Sequence, residues 1–218
     1  MPAIIDVAAD VGGYAGRLAA AGVQVVIRYY NHRSSAVLPT KCVTPGEVVS
    51  LHHAGLALAV VFQQRGGAGG AIEDFDAAGG ALDGARALAL ARDIGQPEGS
   101  AIYFAVDWDF RREADLERIT RYFAHVRETL GPAYAIGVYG SGTVGTLLTD
   151  RALVDHVWLA GNTAWSGTGA ALAAGRWSLF QNDLHLTSGI GGFRYDGNAA
   201  NPARAGFGEF RRVDRAAA

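Results

Sequence analysis

Two aspartates stand two positions apart where an apolar run of the sequence, Ala101–Asp109, comes to its end. Side chains alternate along a strand, so Asp107 and Asp109 fall on one face of it. Crowding two carboxylates raises the pKa of one of them. A protonated acid beside an ionised carboxylate is the division of labour that glycoside hydrolysis needs. The alternative is that both acids cap the following helix, predicted over Arg111–Leu130.

Polar side chains also end nearly all of the remaining apolar runs. They are Asp6; Arg28 and Tyr30; Gln63; Tyr139; Asn162; Gln181; and Asp196. The carboxyl ends of parallel strands meet at one end of an α/β barrel, and ligands bind there. We therefore expect these side chains and the paired aspartates to converge on one mouth.

Aromatic side chains near the same strand ends suit a sugar ligand, because a sugar ring has apolar faces and polar edges. Trp165 lies in a Gly/Ser-flanked loop after the sixth predicted strand. Tyr30, Tyr139 and Trp108 are further candidates. For Trp108 the alternative is packing under a helix, since it falls on the strand face opposite to the aspartates.

The elements that must position these residues are short apolar runs separated by helical segments. The runs are Ala3–Val7, Val23–Tyr30, Leu56–Gln63, Ala101–Asp109, Ala135–Tyr139, Val157–Asn162, Trp177–Gln181 and Phe193–Asn198. About eight alternations of strand and helix predict an α/β protein with a small (β/α)8 TIM barrel, in which some helices are short or missing. Thr163–Arg176 is the weakest helical segment. A doubly wound open sheet is the alternative fold.

Helix signals and domain limits fit one barrel. Thr44-Pro45-Gly46-Glu47 is a capping box with proline at the first helical position. A helical apolar stripe precedes Gly131-Pro132. No linker divides the chain, so a single barrel domain is expected over residues 1–210, with a frayed tail over residues 211–218.

Composition excludes several functions. The 218 residues carry a formal net charge of −2, which gives no basic field for nucleic acid and no support for membrane binding. Cys42 is the sole cysteine, so no internal disulfide forms. The histidines match no metal motif, and we expect neither metal nor cofactor. The first residues do not resemble a secretory signal. We expect a soluble chain, cytoplasmic as made and released by a non-classical or lysis-linked route, with no membrane insertion.

Two glycine-rich stretches raise alternatives. Arg65–Gly70 lacks the Lys-Ser/Thr of a phosphate-binding loop and is interpreted as a plain loop or a lid. Gly140–Gly145 matches G-x-G-x-x-G after a strand, the context of a dinucleotide site. Asn162 ends the next strand, where such a site needs an acid. A dinucleotide-dependent enzyme is therefore the weaker alternative.

Several of these segments resemble a known family. They are Ile4-Ile5-Asp6, Gly22–Tyr30, Ala101–Asp109, Ala135–Gly140 and Trp177–Gln181. They are similar to the glycoside-hydrolase-like TIM-barrel domains of actinobacterial envelope proteins and phage-type lysins. That family in turn resembles the family 25 glycoside hydrolases, the Chalaropsis-type lysozymes, which cleave the β-1,4 bond between N-acetylmuramic acid and N-acetylglucosamine.

The resemblance implies roles for the acids. The lysozymes carry Asp-x-Glu at the fourth strand, with the Glu as proton donor, so Asp109 takes the acid position. Asp107 is then the nucleophile or the group that assists an N-acetyl participant. Asp6 and Asp196 fill the remaining carboxylate positions.

The resemblance also implies the ligand. The expected partner is a glycan, with peptidoglycan favoured. Its binding residues are Asp196, Gln181, Tyr139, Arg28, Tyr30, Gln63, Trp165 and Asn162. Because Asp109 replaces the Glu of the lysozymes, the alternative is a catalytically silent barrel that binds cell-wall carbohydrate.

Overall fold

The computed structural model describes residues 1–64 and 71–211. Its eight strands pair in chain order into a closed barrel. They are β1 (Ile4–Asp6), β2 (Val25–Tyr30), β3 (Ala57–Phe62), β4 (Ala101–Ala105), β5 (Ala135–Gly140), β6 (His156–Leu159), β7 (Leu179–Thr187) and β8 (Arg194–Ala200). The predicted α/β barrel is therefore confirmed, and the open-sheet alternative is wrong.

Helices lie between the strands from β1 to β7. They are α1 (Ala15–Ala20), α2 (Pro45–His53), α3 (Ala77–Ile94), α4 (Glu113–Leu130), α5 (Gly142–Asp150) and α6 (Thr168–Ala173), with short 3₁₀ helices at Gly12–Tyr14 and Ile72–Asp74. The α2 helix begins as predicted, with Thr44 Oγ1 accepting the Glu47 backbone N–H at 3.2 Å. The weakly patterned segment Thr163–Arg176 forms only the six-residue α6.

The last strand departs from the expected parallel arrangement. β8 pairs antiparallel with both β7 and β1. Only residues 188–193 separate β7 from β8. A parallel crossover needs a dozen or more residues, so this connection has to be a hairpin. Because β8 runs in the reverse direction, its first residues lie at the mouth where the other strands end.

Strand alternation divides the apolar residues into two cores. One side of each strand faces the barrel interior. The inward-facing core is Ile4, Val25, Ile27, Ala57, Ala59, Val61, Ala101, Tyr103, Trp158, Leu179 and Phe207. The other side packs against the helices, where Phe104 meets Phe123 of α4. The parity of a residue in its strand therefore decides whether it can reach the mouth.

The floor of the barrel is closed by a large residue and a glycine. Tyr103 crosses the interior and donates its hydroxyl hydrogen to the Phe207 carbonyl at 2.7 Å. A Cβ on Gly137 would lie 2.2 Å from the Tyr103 ring, so only glycine leaves room for it. With the floor filled, an open space is left only towards the mouth.

Two features predicted from the sequence lie in segments that the structure does not describe. The glycine-rich stretch Arg65–Gly70, interpreted as a loop or a lid, lies outside the described residues, and so does the tail beyond residue 211. Within the described ranges, none of the helices has the length and apolar character required to span a membrane.

Candidate functional site

A cavity of about 350 Å³ opens at the mouth of the barrel. Its walls come from seven of the eight strands and from the loops that follow them. The lining residues are Tyr29, Val61, Gln63, Ala105, Asp107, Tyr139, Trp158, Ala160, Gly161, Asn162, Trp165, Gln181, Leu184, His185 and Asp196. Carboxylates, amides and aromatic rings share this space, as the strand ends predict.

Seven of the residues proposed from the sequence lie in that wall. They are Gln63, Asp107, Tyr139, Asn162, Trp165, Gln181 and Asp196. Each follows the inward parity of its strand or belongs to the loop directly after it. The structure thus brings them together, although their chemical roles stay predictions.

Asp6 is the most buried carboxylate of the mouth, with 3% of its surface exposed. Its Oδ1 accepts from the Tyr29 hydroxyl at 3.0 Å, and its Oδ2 accepts from Asn198 Nδ2 at 2.8 Å. Burial raises its pKa from the ordinary 3.8 to about 7, and the negative charge of Asp196 adds to the rise. These hydrogen bonds act in the opposite direction without cancelling it.

One amide joins Asp6 to Asp196. The two aspartates are directly paired across the antiparallel β1–β8 ladder. Gln181 Nε2 donates to Oδ2 of each, at 3.2 Å in both cases. The Tyr139 hydroxyl donates to Gln181 Oε1 at 2.9 Å, which fixes the amide with its nitrogen towards the acids. On this side of the cavity, Asp6 and Asp196 therefore form an acidic pair in which both carboxyl groups are hydrogen-bonded.

Asp107 lies on the opposite wall, after the end of β4. Gln63 Nε2 donates to its Oδ2 at 3.1 Å. Lys41 reaches Gln63 from the β2–α2 loop and donates to its backbone carbonyl at 2.8 Å and to its Oε1 at 3.1 Å. The cavity thus presents Asp107 on one side and Asp196 on the other, and the buried Asp6 lies behind Asp196, to which Gln181 joins it.

Asp109 is not among the residues that line the cavity. Its Oδ1 accepts from the backbone N–H of Ser166 at 2.9 Å and from the Ser166 hydroxyl, and its Oδ2 accepts from Arg111 Nε at 2.7 Å. These hydrogen bonds and the Arg111 charge hold the pKa of Asp109 below its usual value, although its slight burial acts the other way. A low pKa is the reverse of what a proton donor needs. The expected pair therefore separates, because β4 ends at Ala105 and strand alternation no longer applies at Asp109.

Arg28 and Tyr30 do not belong to the cavity, and the structure corrects the prediction that they bind substrate. Both face the helix layer, since they have the outward parity of β2. The guanidinium of Arg28 is fully buried against Glu47, with Nε to Oε1 at 2.7 Å. The Tyr30 hydroxyl donates to Gln96 Oε1 at 2.8 Å. Their polar groups are used in holding the outer layer together.

Tyr29, the residue between Arg28 and Tyr30, lines the cavity, although no sequence pattern predicted it as a site residue. Tyr29 shares the inward face with Val25 and Ile27 and bonds Asp6. Trp158 was also missed, and its Nε1 donates to Asn198 Oδ1 at 2.9 Å. Alternation along β2 is a signal that could have found Tyr29. It could not settle which face is inward, because each face carries apolar residues and a tyrosine, and the charged Arg28 lies on the face that packs against the helices.

The irregular second half of β7 adds residues that no motif predicted. Irregular pairing between Gln181 and Leu186 bends the strand towards the cavity. His185 there has a positive φ of 59°, and its backbone N–H donates to Asp196 Oδ1. The bend brings Leu184 and His185 into the cavity wall. In the part of the chain that the structure describes, no cluster of three or more His, Cys, Asp or Glu residues could hold a metal.

The glycine-rich start of α5 is closed to a phosphate. The Gly142 backbone N–H donates to Thr168 Oγ1 at 3.1 Å, and the Thr143 backbone N–H donates to the Ser166 carbonyl at 2.9 Å. A Cβ on Gly142 would lie 2.2 Å from the Gly167 carbonyl oxygen. The glycine therefore permits close loop packing, and the dinucleotide alternative has no room for its pyrophosphate.

Related proteins share this architecture. The Tat-secreted protein Rv2525c of Mycobacterium tuberculosis, solved with L-tartrate, superposes with a TM-score of 0.80 at 21% identity and covers 94% of this chain and 97% of its own. The modular autolysin LytC of Streptococcus pneumoniae, solved with a synthetic peptidoglycan ligand, has a TM-score of 0.53 at 13% identity over 88% of this chain and 45% of its own. At such identities the likeness concerns the fold.

Sequence comparison assigns the family. FadG of Bacillus subtilis (strain 168) is 30% identical over 152 residues, which are 67% of this chain and 26% of FadG. The chain thus spans about a quarter of that relative. The family model described as the Rv2525c-like, glycoside hydrolase-like domain matches residues 16–191. The resemblance inferred from the strand-end motifs is confirmed, and the chain belongs to the Rv2525c-like glycoside hydrolase-like domain family.

Proposed function

We propose that this domain is a glycoside hydrolase that cleaves N-acetylated glycan of the peptidoglycan type by carboxylate catalysis. One observation carries the proposal: a carboxyl group whose pKa is about 7 lies beside a sugar-sized cavity whose far wall holds a second carboxylate. Enzymes that break glycosidic bonds need one protonated and one ionised carboxyl group at the same pH. Cell-wall lysins with this fold, such as LytC, support the substrate class.

The two walls divide the chemistry. Asp6, paired with Asp196, carries a proton in about half of the molecules at pH 7 and is the source of the acid. Asp107 faces the bound sugar as the carboxylate that stabilises positive charge at the reacting carbon, or that orients an N-acetyl group for attack. Tyr139 and Gln181 already hydrogen-bond one another and can exchange those bonds for sugar hydroxyls.

Aromatic rings supply the platform for the sugar faces. Tyr29, Tyr139, Trp158 and Trp165 all line the cavity. Tyr139 and Trp158 pack edge to face, with ring centroids 4.8 Å apart, so their planes are fixed before a ligand binds. Rigid rings of this kind suit a pyranose better than a charged small metabolite.

The test uses purified peptidoglycan and N-acetylated oligosaccharides, with release of reducing ends as the measurement. We expect cleavage by the wild-type chain and a loss of 100-fold or more in kcat for Asp107→Asn, in the range of removing an acid–base group. Asp183→Asn is the matched control, because Asp183 is an exposed aspartate that does not line the cavity. Equal activity of the Asp107→Asn variant and wild type would overturn the assignment.

A silent glycan-binding barrel is the second candidate. It is favoured by the engagement of Asp109, at the position of the lysozyme acid, with Ser166 and Arg111. Calorimetry separates the two functions. Saturable glycan binding without reducing ends at any pH from 4 to 7 would establish the silent barrel, and detectable turnover would eliminate it.

A further inference from the structure

Lys41 is the sole lysine of the chain, and it is nearly buried beside the cavity. Its residue exposure is 8%, and its ammonium lies 4.9 Å from the centre of the Tyr29 ring. The ammonium donates to the backbone carbonyl and to Oε1 of Gln63. A buried ammonium with these partners is held in one position.

The Lys41 ammonium decides which way the Gln63 amide faces. An amide has an accepting oxygen and a donating nitrogen, whereas an ammonium group can only donate. Oε1 of Gln63 must therefore face Lys41, and Nε2 is turned to donate to Asp107 Oδ2 at 3.1 Å. If Lys41 lost its ammonium, Gln63 Oε1 would lose its donor, and the hydrogen bond to Asp107 alone would hold the amide less firmly in place.

The outer layer fixes the Lys41 backbone. The Lys41 carbonyl accepts from Arg28 Nη1 at 3.1 Å, and the Thr40 carbonyl accepts from Arg28 Nη2 at 2.8 Å. Arg28 is held in turn by the buried carboxylate of Glu47. The buried Arg28–Glu47 ion pair, on the helix side of the strands, thus determines where the Lys41 side chain enters the mouth.

We propose that Lys41 is a positioning residue that acts through Gln63 to orient the hydrogen bond to Asp107. The inference rests on the proposed function, in which Asp107 is a reacting carboxylate. Small displacements of a reacting group have large effects on rate, so the effect should fall on kcat more than on KM.

Electrostatics supports the same arrangement. Burial lowers the pKa of Lys41 from 10.5 to about 8, and the negative charge of Asp107 limits the fall. The ammonium and the carboxylate therefore sense one another across Gln63. Neutralising Asp107 should lower the pKa of Lys41 further.

Kinetics of a double-variant cycle is the first arm of the test. For Lys41→Met, which keeps the unbranched stem, we expect kcat to fall about 10- to 100-fold with little change in KM, as expected for losing a hydrogen bond to a charged group. In a Gln63→Ala background the same change should cost less than about twofold, because the intermediary is already gone. If the losses in kcat of the two single variants multiplied in the double variant, or if Lys41→Met kept the wild-type kcat, the proposal would be overturned.

Ser34→Ala is the matched control for loop damage. Ser34 Oγ accepts the Cys42 backbone N–H at 3.1 Å, next to Lys41, without contacting Gln63. We expect its kcat to stay within about twofold of wild type, the threshold that the double-variant cycle also uses. A loss as large as that of Lys41→Met would show that loop order, not Gln63, is responsible.

The second arm does not depend on catalysis. Carbon-13 labelling of lysine gives one side-chain signal, since Lys41 is alone. Its titration midpoint should lie near 8 and should fall in Asp107→Asn, because the negative charge that limits the fall is removed. An unchanged midpoint would overturn the coupling. If no glycan is cleaved but the midpoint falls, the proposed function fails while the coupling of Lys41 to Asp107 stands.

Discussion

Asp6 and Asp109 show how the same side chain acquires opposite properties in two regions of one barrel. Asp6 is the last residue of a strand and is inside the interior, where burial raises its pKa to about 7. Asp109 follows the end of its strand and lies in a loop, where Ser166 and Arg111 lower its pKa. An acid that can hold a proton at neutral pH therefore comes from the strand and not from the loop. Asp109 instead ties its loop to the one that carries Trp165.

The largest expected difference between the Asp6 and Asp109 regions is in how the free energy of unfolding depends on pH. Folded Asp6 binds its proton more tightly than the unfolded chain does, so its contribution to stability falls as pH rises from about 4 to about 7. Asp6→Asn removes that dependence. Relative to the variant, wild type should lose on the order of 4 kcal/mol across the window, at about 1.4 kcal/mol per pKa unit. Urea unfolding at a series of pH values measures it, and parallel curves would contradict the raised pKa.

A smaller difference is expected in turnover. Asp6→Asn should reduce kcat on the best cleaved glycan by about 100-fold, as for loss of a general acid. Asp109→Asn should retain activity within about threefold, because Ser166 and Arg111 occupy both oxygens of Asp109 and keep it ionised. Reducing-end assays of both variants at pH 6 provide the measurement. The reverse ranking would return the acid role to Asp109.

The smallest effect concerns the stability of the loop acid. The lowered pKa of Asp109 gives stability that is present at neutral pH and is lost as pH falls below the ordinary aspartate value of 3.8. Asp109→Asn should therefore destabilise the fold by about 1 kcal/mol at pH 7, the usual size for an accessible ion pair. The difference should vanish in acid. The opposite signs of the pH dependence for the Asp6 and Asp109 variants would separate the two regions most clearly.

Sequence reasoning located the barrel and much of its mouth because strand ends leave a physical record. Asp6, Gln181 and Tyr139 each bring a polar group into an apolar run at the level of the mouth, and their convergence follows from the topology. The length of the last connection is a further signal. Residues 182–192 separate the last two apolar runs, fewer than the dozen that a parallel crossover needs, and this favours the antiparallel last strand that the structure shows.

Other parts of the site could not be read from local patterns. Both faces of β2 carry apolar residues and one tyrosine, and the charged Arg28 lies on the face of Tyr30, so only barrel closure decides that Tyr29 faces inward. The separation of Asp107 from Asp109 depends on where β4 stops, and strand boundaries are the least certain part of sequence interpretation. The position of Lys41 is set by contacts with Arg28, which are tertiary and leave no motif.

The hairpin that supplies β8 ties the chemistry to completion of the fold. Asn198 and Asp6 bond across 192 positions of the chain, so the environment that keeps a proton on Asp6 arises only when the first and final strands meet. A partly synthesised or partly unfolded chain would have an ordinary aspartate at that position. The proposed hydrolytic activity would therefore arise in a single step, when β1 and β8 pair.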